Sequence, residues 1–327
     1  GSLCQAVAAM EGVLLPQQTS FHGLHFEHIP TAWDEGIPLG NGIMGTLIWQ
    51  RGGNLRLAVD RADLWDLRPV EEFSGADYSY KFVCEAVEKG DIKPVYELID
   101  ARTSQDVAPT KIPAGAIEIP IKGLGEVASV DFDVHTAICT IVWKSGTVGQ
   151  FFVCATDKAG YFRFVNLSGP LEINWEAPAF ETPQKGEPAK NALTRLGYKK
   201  GKTVRKGNHI NYKQRAYGNV AYEVDIRWTY PDDHTLEGAY LLTTQGTWYS
   251  EKDSAGNLMD DCRNCFHVAM EEHCRWWENY WKQCLIELPD KVLERQWYLE
   301  MYKFGAASRK DAPPICLQAV CTADNGQ

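Results

Sequence analysis

Cys262-Arg263-Asn264-Cys265 is the one Cys-x-x-Cys in the chain. Zinc wants four ligands, and no second pair at ligand spacing follows; a redox pair wants a βαβ setting that the surrounding pattern lacks. The spacing points to structural thiols or a single disulfide. His22, His25 and His28 recur at every third residue. Such a trio converges on a metal only from a helix, and Gly23 and Pro30 argue against one. No metal and no cofactor is expected. Asp60, Asp63 and Asp66 form a third group. Acid–base hydrolysis uses two carboxyl groups, one kept protonated and one ionised. These three aspartates sit at strand-end spacing beside Arg61 and Arg68, so capping turns and pairing with arginine are the more economical roles. No catalytic residue is assigned. A Gly-x-Ser-x-Gly elbow, a phosphate-cradling loop ending in Gly-Lys-Ser/Thr and a dinucleotide fingerprint are all absent from the sequence.

The stretch around which the chain is organised runs from Pro30 to Trp49 and holds Gly36, Gly40, Gly42 and Gly45. Glycine serves where the backbone turns left-handed or where another segment comes close. Gly40-Asn41-Gly42 reads as a tight loop. A strand from Ile43 to Trp49 follows, then an alternating strand over Leu55–Asp60.

Further along, Phe82, Ala86 and Val87, then Val95, Leu98 and Ile99, recur at helical spacing and predict two short helices. From Ala108 to Thr244 the pattern is β: strands are predicted near 116–121, 130–134, 138–143, 148–154, 161–165, 220–228 and 240–244. Many strands with short turns and no intervening helix imply a mainly β fold, a large antiparallel sandwich with a small helical insertion. Glu181–Lys213 carries seven lysines and two arginines against two glutamates. It reads as a solvated surface insertion; contact with an acidic glycan or a phosphate is the more demanding alternative. After Tyr249 the class changes. Phe266, Met270, His273, Trp277 and Trp281 mark one amphipathic helix, preceded by Asp260 and Asp261. Leu293, Trp297, Met301 and Phe304 mark a second, with Asp290 as N-cap and Gly305 as its stop. The expected division is a sandwich over 1–255, linker helices over 256–290, and a helix with its loop over 291–327.

The ordered run Trp33-Asp34-Glu35-Gly36-Ile37-Pro38-Leu39-Gly40-Asn41-Gly42, then Gly45, then Asp63-Leu64-Trp65, resembles the N-terminal signature of glycoside hydrolase family 95, which contains α-L-fucosidases and α-L-galactosidases. His273, Trp276-Trp277 and Trp281 resemble its linker. Tyr298, Tyr302, Pro313-Pro314-Ile315-Cys316-Leu317-Gln318 and Thr322-Ala323-Asp324-Asn325-Gly326 resemble the first helix and following loop of its (α/α)₆ barrel; Ala319 and Cys321 stand where Gly and Trp are expected. The resemblance implies a supersandwich supporting an inverting barrel whose acid Glu and Asn-assisted Asp lie beyond this chain, so the chain alone is expected to be inactive. Trp33, Asn41 and Trp65 are the candidate substrate-binding residues, on loops facing the barrel. The glycan is the expected partner, reached through the barrel. The alternatives are a stand-alone carbohydrate-binding module and the sandwich of a related barrel phosphorylase.

Bulk properties narrow the partners. A net charge of −10 over 327 residues argues against general nucleic-acid binding. No apolar run approaches the roughly 20 residues that span a membrane. The eleven tryptophans and fourteen tyrosines suit a sugar-stacking surface or a sandwich core equally. Leu3-Cys4-Gln5-Ala6 reads as the remnant of an export signal, which makes the expected location secreted or periplasmic. The apolar stripe of the last helix is expected to fold back on the sandwich or to pair with a second copy.

Overall fold

The structure is a computed structural model that describes residues 21–75, 77–99, 109–180, 193–249 and 265–322. Its first strands are β1 (Leu24–Phe26), β2 (Ile37–Gly40), β3 (Met44–Arg51), β4 (Asn54–Arg61) and the short β5 (Trp65–Asp66). After the helices α1 (Tyr80–Glu88) and α2 (Lys93–Leu98) come β6 (Thr110–Lys111), β7 (Gly115–Pro120), β8 (Val127–Asp133), β9 (Ile138–Trp143) and β10 (Val148–Val153). Then follow β11 (Ala159–Val165), β12 (Asn174–Glu176), β13 (Lys202–Lys206), β14 (His209–Arg215), β15 (Ala221–Asp232) and β16 (Thr235–Gln245). The long helices α3 (Cys265–Trp281) and α4 (Lys291–Ala307) come last.

Two antiparallel sheets carry the molecule, in the orders β1-β8-β9-β10-β11-β16-β15-β14-β13 and β12-β7-β4-β3-β2. Side chains alternate across each strand, so each sheet offers one apolar face to the other. Ile48, Leu57 and Ile117 from the smaller sheet meet Phe132, Phe151, Phe162 and Phe164 from the larger one in a single buried core. The opposite face of the larger sheet is also used. Phe152, Tyr161 and Leu241 receive Phe266, Ala269 and Met270 of α3. Burial of each such side chain contributes about 2 kcal/mol. This is the mainly β sandwich, with its helical insertion and C-terminal helices, that the alternation predicts.

Three local expectations need correcting. The basic stretch 181–213 is not an insertion throughout: Lys202–Lys206 and His209–Arg215 form a hairpin that pairs with β15 and extends the larger sheet. Local charge hides these strands, and the ladder to β15 decides them. Gly305 does not stop α4, which runs on to Ala307. It lies inside the helix because a Cβ there would sit 2.9 Å from the Trp277 ring. The buried face of α4 is Glu294, Tyr298, Tyr302, Gly305 and Ala306, while Leu293 and Phe304 are exposed. The helix does lie against the sandwich, as Tyr302 Oη donates to Pro38 O at 2.6 Å. Its tyrosines reach backbone carbonyls at their tips while burying their rings, which the leucine and phenylalanine side chains cannot do. Asp290 caps the helix by accepting from the amides of Val292 and Leu293.

Candidate functional site

The glycine loop between β2 and β3 is where distant parts of the chain meet. Gly42 has φ +84°, a conformation open to glycine at little cost, and its amide donates to Ala306 O at the end of α4 at 2.7 Å. The other glycines give room. A Cβ on Gly40 would stand 2.6 Å from Ala306 O, one on Gly42 2.3 Å from Arg309 Cγ, and one on Gly45 2.1 Å from Val320 O. The loop is thus a socket for the end of α4 and the segment that follows it. A groove of about 300 Å³ opens beside it, walled by Pro38, Leu39, Phe304, Ile315, Leu317 and Val320.

Asn41 sets the socket's shape. Its Nδ2 donates to Cys154 O at 3.0 Å and Asp157 O at 2.9 Å, and its Oδ1 accepts from the amides of Ile43 and Met44 at 3.1 and 2.9 Å. Trp33 lies in a 3₁₀ turn and packs against the cluster of Leu47, Trp49, Ala58 and Ala116. Trp65 donates its indole N–H to Ala62 O at 3.0 Å. Asn41 therefore sits in the socket, Trp33 flanks the outer face of the smaller sheet, and Trp65 marks the start of β5.

The three aspartates are all buried and all occupied. Asp60 accepts from Lys111 Nζ at 2.5 Å and from the Thr322 amide at 2.8 Å. Asp63 accepts from Arg61 Nε at 2.6 Å and from the hydroxyls of Thr244 and Thr247 at 2.8 and 2.5 Å. Asp66 holds Arg68 and the Tyr198 hydroxyl. Burial pushes the Asp66 carboxyl up, but hydrogen bonds from Arg68 and Tyr198 outweigh it and hold the group below the usual range. Buried charges persist only when matched in this way, and carboxylates so engaged act as structural acceptors that tie segments together.

Two further residues complete the seam. Arg309 runs its stem over Gly42 and lays its guanidinium 3.4 Å above the Trp276 ring, donating to Gly305 O and to Ala155 O. Burial lowers its pKa to about 10. His273 is buried in α3 and accepts from the Ala155 amide at 3.1 Å; burial brings its pKa down to about 4, so it is neutral here. Lys111 and Arg309 have no sequence signal of their own, because each depends on a partner far away in the chain; Thr322 stands out only as the first residue of the loop motif.

The histidines of the N-terminal arm part company. His22 stacks on Tyr298 of α4 and hydrogen-bonds Glu294 at 2.8 Å and His135 at 3.0 Å, while His25 pairs with Asp131 at 2.6 Å. Among the described residues no cluster of three metal-ligating side chains occurs. Cys262-Arg263-Asn264-Cys265 and the aspartates 260 and 261 lie outside the described residues, Cys265 in its side chain, and so does the Ala323–Gly326 part of the barrel-like loop. No described helix is long and apolar enough to cross a membrane. No family model matches the chain, and no curated protein matches it.

Proposed function

We propose that this chain is the N-terminal sandwich and linker of a glycosidase similar to the α-L-fucosidases and α-L-galactosidases of family 95, a support for an inverting helical barrel and not itself the catalyst. One observation carries the reading. The two halves of the resemblance lie more than two hundred residues apart, yet the glycines of the first half are the contact surface for the second. A glycine-rich hairpin in an unrelated β domain has no reason to receive a helix end, an arginine stem and a returning carbonyl at Gly40, Gly42 and Gly45. The occupied state of Asp60, Asp63 and Asp66 fits a scaffold role for this part.

Within this reading Asn41 shapes the loop that meets the barrel, and Trp33 and Trp65 are the further residues proposed to face it. The test is the coding sequence beyond Gln327 together with activity of its full product on aryl α-L-fucoside and α-L-galactoside. Hydrolysis by the full product and none by residues 1–327 is the expected result. Cleavage that requires inorganic phosphate would make the parent a phosphorylase. Full activity in the isolated chain would end the scaffold reading.

A further inference from the structure

The β13–β14 hairpin roofs a second concavity, about 1050 Å³ in volume and remote in sequence from the glycine socket. Its walls carry Arg68, Lys199, Lys200, Lys202, Lys213 and Arg215, with Glu223 the one carboxylate among them. Lys213 is matched to Glu223 at 3.2 Å and Arg68 to Asp66. Lys199, Lys202 and Arg215 are exposed and have no carboxylate partner among the described residues. A protein of net charge −10 has gathered excess positive charge in one hollow.

The hollow is held in shape from beneath. Buried Gln214 donates from Nε2 to Lys199 O at 2.9 Å and to Arg215 O at 2.7 Å, and its Oε1 accepts from the Tyr212 hydroxyl at 2.6 Å. One amide thus clamps together the two segments that carry the unmatched cations. Arg68 is fixed likewise. Asp66 takes its Nε at 3.0 and 3.1 Å, Leu196 O takes Nη2 at 2.9 Å, and its guanidinium lies 5.2 Å from the Tyr217 ring centroid. Tyr217, 46% exposed, offers an aromatic surface at the same rim.

Edge protection explains part of this charge. Lysines on an outermost strand discourage pairing with other chains, and β13 is such a strand. That accounts for Lys202, Arg205 and Lys206. It does not account for Lys199 and Arg215, which lie beyond the paired stretch of β13 and β14 and whose main-chain carbonyls Gln214 holds together.

We infer that this hollow binds an acidic glycan, a polymer of uronate-type sugars. Such a chain carries one carboxylate per acidic ring and a C–H face on each ring, which suits spaced cations beside an exposed tyrosine. A duplex nucleic acid carries one charge per ~1.7 Å, denser than these spaced cations match, and a protein of net charge −10 repels it more strongly than a sparser polyanion. The inference rests on the glycan reading above only in the choice among polyanions.

The test is binding of the chain to polygalacturonate at low ionic strength, followed by calorimetry or affinity electrophoresis. Saturable binding that weakens with added salt is the expected result, with fully methyl-esterified polygalacturonate binding weakly. Lys199→Ala/Arg215→Ala removes only exposed charge, and should weaken binding about tenfold with an unchanged unfolding midpoint. Tyr217→Ala should weaken polygalacturonate binding more than it weakens binding of inorganic polyphosphate. No binding by the native chain, or an unaltered affinity in the double variant, overturns the inference. Equal or tighter binding of duplex DNA overturns the glycan assignment. The aryl-glycoside assay of the full product is independent of this hollow, so its outcome separates failure of this site from failure of the scaffold reading.

Discussion

Asn41 uses both ends of one amide: two donors to carbonyls of the β10–β11 turn and one oxygen shared by two amides of its own loop. Replacement by alanine leaves buried groups unmatched and should cost about 3 kcal/mol in urea denaturation. Asn41→Asp should cost more, because a carboxylate oxygen would face two carbonyls. A loss below about 1 kcal/mol in both variants would show that the loop is shaped by its glycines alone. Gly45→Ala is the complementary change. The added methyl meets a main-chain carbonyl, Val320 O, which cannot move like a side-chain tip, and a loss of about 2 kcal/mol is expected, read from the same denaturation curves. The glycines and Asn41 could be singled out in the sequence because their types announce unusual backbone. What they accommodate could not, since Ala306, Arg309 and Val320 are ordinary residues until the chain closes on itself.

The seam between α3, α4 and the sandwich is sensitive to acid at the scale of whole elements. His273 has its pKa lowered from 6.5 to about 4 by burial, so between those values the unfolded chain binds more protons than the folded one. Stability is therefore full above pH 6.5 and falls as the pH drops towards 4, by roughly 3 kcal/mol from this group. Burial lowers the pKa of His135 as well, in the same direction. Glu294, which ties α4 to His22, is held at about 2 by Lys291 first, then by His22 and the Leu288 amide. Its contribution is present above the ordinary value of 4.5 and disappears as the pH falls through 2. Denaturant midpoints measured from pH 6.5 to 4 should decline, and the decline should be shallower in His273→Gln. An equal slope in that variant would place the acid sensitivity elsewhere. The elements themselves were legible where pattern was strong. Strands 130–134, 138–143 and 148–154 and both long helices fall close to their predicted places. β13 was not, because five exposed side chains in Lys202–Lys206 erase any alternation and only pairing with β14 makes a strand of them; β14 does alternate, with Ile210, Tyr212 and Gln214 buried, but it lies at the end of a lysine-rich stretch that reads as a surface insertion.

At the scale of the whole molecule, one apolar surface is left uncovered among the described residues. Phe304, Ile315 and Leu317 are all exposed, Leu317 completely, around the apolar groove beside α4, and Leu293 is exposed near the start of the same helix. Water against such a patch is unfavourable, so the isolated chain should bind hydrophobic dyes and associate with rising concentration. Phe304→Ser/Leu317→Ser should abolish both, as seen by light scattering, with little change in unfolding midpoint because neither side chain is buried. Persistent association in that variant would move the sticky surface to another face. The amide of Thr322 also has a consequence for how the protein is made. It is a ligand of Asp60, a carboxylate emerging from the ribosome 262 positions earlier. At ordinary translation speeds that gap lasts on the order of tens of seconds. During that interval the nascent front sheet holds an acid whose final neighbour has not been synthesised, and the glycine socket stands open to whatever else is nearby. A chaperone that lingers on early segments, or slow codons placed after the last strand, would suit this order of assembly.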